Sequence, residues 1–155
     1  MEAAPELKLP TIPPLIFGVP VIVGALVHLF IWQGDILGGT PGTVLGIALI
    51  VGGLALIAWT WKEMRAHGEH PEPGAATKTL VTSGPFKRSR NPIYVGFLLI
   101  GAGIAISLSA LAMLVAVFFG GAALTVLVIR REEEYLKRKF GEAYVEYASK
   151  TRRWL

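Results

Sequence analysis

At 155 residues the chain suffices for one domain, and 53 % of it is hydrophobic while only 17 % is charged. That charge is well below the quarter or so typical of soluble domains, which points to a membrane protein. With no cysteine, disulfides, thiolate nucleophiles and cysteine metal sites are excluded, and the net charge of +4 matters less than where the bases fall.

The opening MEAAPELKLP is acidic and Pro-rich and lacks the basic region of a signal peptide. Residues 14–32 carry no formal charge and predict a first transmembrane helix. Pro13 and Pro14 stop it from extending backwards, Pro20 can kink it, and Trp32 suits an interface. His28 is the one ionisable side chain in this span: either a functional group, or a side chain that hydrogen-bonds a neighbouring helix or reaches the interface. Gln33–Pro41 is a Gly-rich turn. Residues 42–61 form the second span, with Gly42-xxx-Gly46 and Gly52-Gly53 leaving a smooth face. Such a face permits close helix packing, a dimer contact, or room for a bound molecule.

Lys62–Pro92 reads as a polar loop of about thirty residues, long enough to be functional or disordered. Pro71 and Pro73 prevent helix in its first part. His67 and His70 beside Glu69 have no third committed ligand, so no metal site is expected. Ile93–Ile129 is uncharged over 37 residues. As one helix it would be about 55 Å long, far thicker than a bilayer, so it turns back. Ser107-Leu108-Ser109 is the best turn, giving spans over 93–106 and 110–129. From residue 130 to 150, Leu136, Phe140, Tyr144 and Tyr147 recur at helical spacing, an amphipathic surface helix weakened at Gly141. The fold expected is all-α: four transmembrane helices, the last two a hairpin, with a polar loop and a surface helix in a single 1–155 domain.

Fourteen of the fifteen Lys and Arg lie in the 62–92 loop and the tail after Ile129, and none in the two opposite turns. The positive-inside rule places loop, tail and both termini in the cytoplasm of a prokaryotic cell membrane. No nucleic-acid motif accompanies the basic charge, and anionic lipid headgroups are the expected electrostatic partner.

The hairpin brings Arg90–Tyr94 close to Arg130–Glu134. Cations, a helix start with Asn91 as N-cap and Pro92 in the first turn, and an aromatic then face three carboxylates. Two readings stand on the residues alone. Either these groups bind a ligand with an amino-acid end and a ribose, or Arg90 is a positive-inside anchor and the Glu run a solvated turn.

The stretch TLVTSGPFKRSRNPIYVGF, followed after a hydrophobic hairpin by EEEYLKRKFGEAYVEY, resembles the isoprenylcysteine carboxyl methyltransferases and the related phospholipid N-methyltransferases. The resemblance covers about residues 78–150 and implies an integral membrane enzyme that uses S-adenosylmethionine. It implies that Lys78, Thr79, Leu80 and Val81 line the cofactor through their backbone and that Phe86 contacts its adenosine. Asn91, Pro92, Ile93 and Tyr94 would hold it at the start of the third span. Glu132 and Glu133 would face its polar end and the acceptor, with Glu132 able to take a proton and Arg90 balancing the charge. Asn91 stands where the eukaryotic carboxyl methyltransferases have His, and Val128 where they have Arg. A prenylcysteine-like carboxylate and a lipid amine both stay open as acceptors. Two rivals stay open as well: a membrane reductase related to sterol reductases and using NADPH, and a non-enzymatic lipid-binding protein.

Overall fold

A computed structural model describes residues 13–70 and 77–155. The expectations for the N-terminal decapeptide and for the Pro71–Pro73 stretch lie outside those residues. Everything described is helix, turn or irregular connection; the nearest approach to a sheet is one parallel bridge between Ser89 and Arg152.

Helix α1 runs Pro13–Phe30 and α2 Gly39–Ala66. A short 3-10 turn, Gly84–Lys87, precedes α3, Pro92–Ser107. Helix α4, Leu111–Leu124, passes through a π turn at Thr125–Ile129 into α5, Arg130–Phe140, and α6 follows at Glu142–Lys150. Three helices are long and apolar enough to cross a membrane: α1, α2 and the continuous Leu111–Phe140. The third apolar segment, α3, has 16 residues, about 24 Å, short of a ~30 Å hydrocarbon core. It is the shortest of these four apolar helices and packs between α2 and α4.

Three boundaries differ from the sequence reading. Helix α2 extends five residues into the expected polar loop, because Lys62–Ala66 contains no breaker before Gly68, whose φ is +73°. The surface helix does not begin anew at residue 130. It continues the last span, since nothing in TVLVIRREEE stops a helix. It does break at Gly141, where φ of +55° is a conformation glycine adopts without penalty.

The bundle is layered as α2 on α3, α3 on α4, and α4 on α1. Glycine sets the α2–α3 spacing. A Cβ on Gly53 would lie 2.8 Å from the Gly96 carbonyl oxygen, and one on Gly103 2.6 Å from that of Gly46. The smooth face read as a dimer contact or ligand space is thus spent inside the molecule, on Gly42, Gly46 and Gly53, all buried. On the other side, Phe17 of α1 packs against Gly101 and Gly120 and stacks on Phe97 with ring centroids 6.1 Å apart. It joins Tyr94, Val117, Leu124, Val128 and Ile129 in the main buried cluster. Outward faces stay apolar: Phe30, Ile31 and Phe118 are more than 70 % exposed, as lipid-facing side chains are.

The hairpin turn falls at Leu108–Ala110, with Ser109 at φ +52°. The Ser109 hydroxyl oxygen accepts from the Ile36 amide at 3.1 Å, and the Leu111 amide donates to Gly34 at 3.0 Å. These bonds tie the two base-free turns together at one end. The basic segments meet at the other. His28 makes no hydrogen bond at its buried Nδ1 among the described residues, so the expected interhelical partner is not observed.

Candidate active site

At the basic end, the start of α1, the end of α2, the 3-10 turn, the start of α3, α5 and α6 enclose a cavity of about 290 Å³. Eleven of the twelve expected site residues line it: Thr79, Leu80, Val81, Phe86, Arg90, Asn91, Pro92, Ile93, Tyr94, Glu132 and Glu133. Lys78 is the exception; its side chain is exposed and its amide points elsewhere.

Local structure explains the convergence. Pro92 opens α3 with no amide hydrogen to leave unpaired. Two residues on, Tyr94 faces the bundle and donates its hydroxyl to Glu132 Oε1 at 2.9 Å. Glu132 lies three residues past Ile129, the end of the uncharged run, in the polar extension of its helix. The π turn just before it carries one extra residue per turn, which rotates the following face by roughly 100°. Val128 and Ile129 thereby enter the core while Glu132 and Glu133 reach the cavity.

The two carboxylates have different surroundings. Glu133 is charge-compensated: Arg90 Nη2 donates to Oε1 at 2.9 Å, Arg153 Nε to the same oxygen at 3.0 Å, and Arg153 Nη2 to Oε2 at 2.7 Å. Among the described residues Glu132 has no cation on it, only the Tyr94 hydroxyl. Burial raises its carboxyl to about 7; the Tyr94 hydrogen bond works against that rise and the Glu133 charge with it. Burial likewise pushes the Tyr144 phenol up to about 12, helped by the Glu133 charge, so this cavity-wall residue stays neutral.

Asn91 occupies the N-cap position of α3, but its side chain makes no capping bond. Its Nδ2 donates to the Arg153 carbonyl at 2.9 Å, and its own backbone carbonyl accepts from Val95. The side-chain amide is thus turned to the tail rather than to the helix. Arg90 is likewise committed. Its backbone amide donates to Arg152, and Nη1 to Ala148 at 2.9 Å, while Nε is buried with no partner among the described residues.

Several lining residues were not legible as such. Glu69, expected in a flexible stretch, is 6 % exposed. Its Oε1 accepts from the Lys78 amide at 2.7 Å and from the Thr79 amide, anchoring the strand of chain that carries Leu80 and Val81. An acidic residue flanked by Gly68 and His70 gives no periodic signal for this. Trp61 and Met64 contribute because α2 runs on past the apolar segment. Tyr135, Tyr144 and Tyr147 enter from α5 and α6, and Tyr147 also donates its hydroxyl to the Phe86 carbonyl at 2.7 Å. Among the described residues no three His, Asp or Glu side chains gather as metal ligands.

The arrangement is mostly apolar wall with a few convergent polar groups, the usual build of a small-molecule site. It offers an uncompensated carboxylate hydrogen-bonded to a tyrosine, a free guanidinium N–H, and aromatic side chains.

Comparison with known proteins agrees with this geometry. Over 78 residues, half of the chain, it is 37 % identical to the cobalt-zinc-cadmium resistance protein CzcN of Cupriavidus metallidurans. The match covers 36 % of that protein, so the chain spans about a third of the relative's length. No solved structure matches. The family model for phospholipid methyltransferase matches residues 41–143, which takes in α2 to the start of α6 and nearly all of the cavity wall. The chain belongs to the phospholipid methyltransferase family.

Proposed function

We propose that the protein is a membrane methyltransferase that uses S-adenosylmethionine and acts on a lipophilic acceptor at the cytoplasmic membrane surface. The observation that carries this reading is the Tyr94–Glu132 pair, set in an apolar-walled cavity at the basic end of the bundle.

The residues present fit the cofactor. The unpartnered Arg90 Nε–H suits a carboxylate, the Glu132 and Glu133 side suits an ammonium or ribose hydroxyls, and Phe86 and the tyrosines suit an adenine face. The backbone of Thr79–Val81, fixed by Glu69, and the Asn91–Tyr94 turn would complete the cradle. When bound, S-adenosylmethionine supplies an electrophilic methyl group on a sulfonium. The chain's own residues then orient, shield and move protons. Tyr94 holds the Glu132 carboxylate in one orientation. An amine acceptor must lose a proton, and Glu132, with its carboxyl near 7, is tuned to take it. The apolar wall excludes water from the acceptor.

Between the acceptors left open by the sequence, a lipid amine is favoured. With Glu133 neutralised by Arg90 and Arg153, the wall carboxylates without an ion pair among the described residues are Glu132 and Glu69, which favour a cationic acceptor over a carboxylate. The fourteen bases of the polar loop and the tail orient this end toward the cytoplasm and anionic headgroups.

The test is thermal stabilisation of the purified protein in detergent. S-adenosylmethionine should raise the melting temperature in a saturable way and NADPH should not. Stabilisation by NADPH alone would replace this reading with a reductase.

A further inference from the structure

The last residues of the chain were read only as basic anchors for headgroups. In the fold they form a strap across the entry to α3. The Arg152 carbonyl accepts from the Arg90 amide at 2.9 Å and the Arg153 carbonyl from Asn91 Nδ2 at 2.9 Å, with a longer bond from the Ser89 hydroxyl at 3.4 Å. Trp154 packs on the main buried cluster and pins the strap beyond these bonds. The Arg153 side chain meanwhile turns the other way and forks onto both oxygens of Glu133. Arg153 itself does not line the cavity, whereas Arg90, Asn91 and Glu133 all do.

We infer that Arg153 is a positioning residue of the cofactor site: its backbone holds Asn91 and its guanidinium fixes the rotamer of Glu133 and shares that carboxylate with Arg90. This rests on the methyltransferase reading above. The two-pronged geometry matters. A guanidinium can engage both carboxylate oxygens at once, and an ammonium is a single point of charge. Without the fork, Glu133 keeps one bond to Arg90 and is free to rotate about its side-chain torsions, and Arg90 loses its competitor for Oε1. Both then leave the geometry the ligand meets.

The test is S-adenosylmethionine affinity in full-length protein, measured calorimetrically in nanodiscs. Arg153→Ala should weaken binding about tenfold, and Arg153→Lys should recover less than half of that loss on a logarithmic scale. Because the side chain acts through Glu133, Arg153→Ala placed on a Glu133→Gln background should cost less than a further twofold. Arg153→Lys keeps charge and bulk, so its melting temperature should stay within about 2 °C of the wild type while affinity still falls, which separates positioning from folding. Affinity within twofold of wild type in Arg153→Ala, full recovery in Arg153→Lys, or multiplying losses in the double variant would overturn the assignment. A wild-type chain that binds no S-adenosylmethionine would instead remove the methyltransferase reading itself.

Discussion

Tyr94 and Glu132 are 38 residues apart in sequence and 2.9 Å apart in space, joined hydroxyl to carboxylate at the mouth of the helical hairpin. That bond connects the first turn of α3 to the polar extension of the last membrane helix. It is the point where the fold and the proposed chemistry meet.

If Glu132 takes a proton from the acceptor, Glu132→Gln should lower kcat by about a hundredfold or more and leave S-adenosylmethionine affinity within a few fold. Tyr94→Phe removes only the orienting hydroxyl and should cost about tenfold. Steady-state kinetics with the wild type alongside check both, and turnover unchanged in Glu132→Gln would remove that residue from the reaction.

The pH dependence has a definite sign. Burial raises the Glu132 carboxyl from an ordinary 4.5 to about 7, so the fold favours its protonated form. Methylation of an amine should therefore rise as pH increases through about 7, when the basic form appears. Stability runs the opposite way: what the neutral carboxyl contributes is present below about 4.5 and is lost as pH rises through about 7. Glu132→Gln, which cannot ionise, should melt higher than the wild type at pH 8 and converge with it near pH 4.5. Melting curves across that window read the difference directly.

The Gly53–Gly96 approach is a packing prediction. A Cβ on Gly53 would come within 2.8 Å of the Gly96 carbonyl oxygen, which is backbone and cannot swing aside. Gly53→Val should cost about 1–3 kcal/mol of bundle stability, visible as a lower melting temperature. Gly52→Val, one residue earlier and with open space around it, should cost far less.

Glu69 provides a test remote from the membrane helices. Its carboxylate holds the amides of Lys78 and Thr79, and removing it leaves them without an acceptor. Glu69→Ala should raise the dissociation constant for S-adenosylmethionine several fold, with a local cost of about 1–3 kcal/mol. Amide exchange at Thr79 should quicken in the variant while Ala105, in the core of α3, stays unchanged.

Much of this was legible before any coordinates. Charge-free runs marked the apolar helices, and the 37-residue run forced a hairpin that brought Arg90–Tyr94 against Glu132–Glu133. What escaped has particular causes. The π turn at Thr125–Ile129 leaves no mark in an all-apolar stretch, yet it decides which face of α5 meets the cavity. The burial of Glu69 depends on two amides about ten residues away, which no local pattern encodes. Asn91 matched an N-cap signal, but its side chain bonds a tail more than sixty residues distant and makes no cap bond. Arg153 looked like one base among many until the strap placed it on Glu133.

The most direct measurement is transfer of label from methyl-labelled S-adenosylmethionine to a membrane lipid extract by the purified protein. The account predicts label in an organic-soluble, amine-containing lipid, and its loss in Glu132→Gln. Label confined to water-soluble products, or equal transfer by Glu132→Gln and wild type, would contradict it.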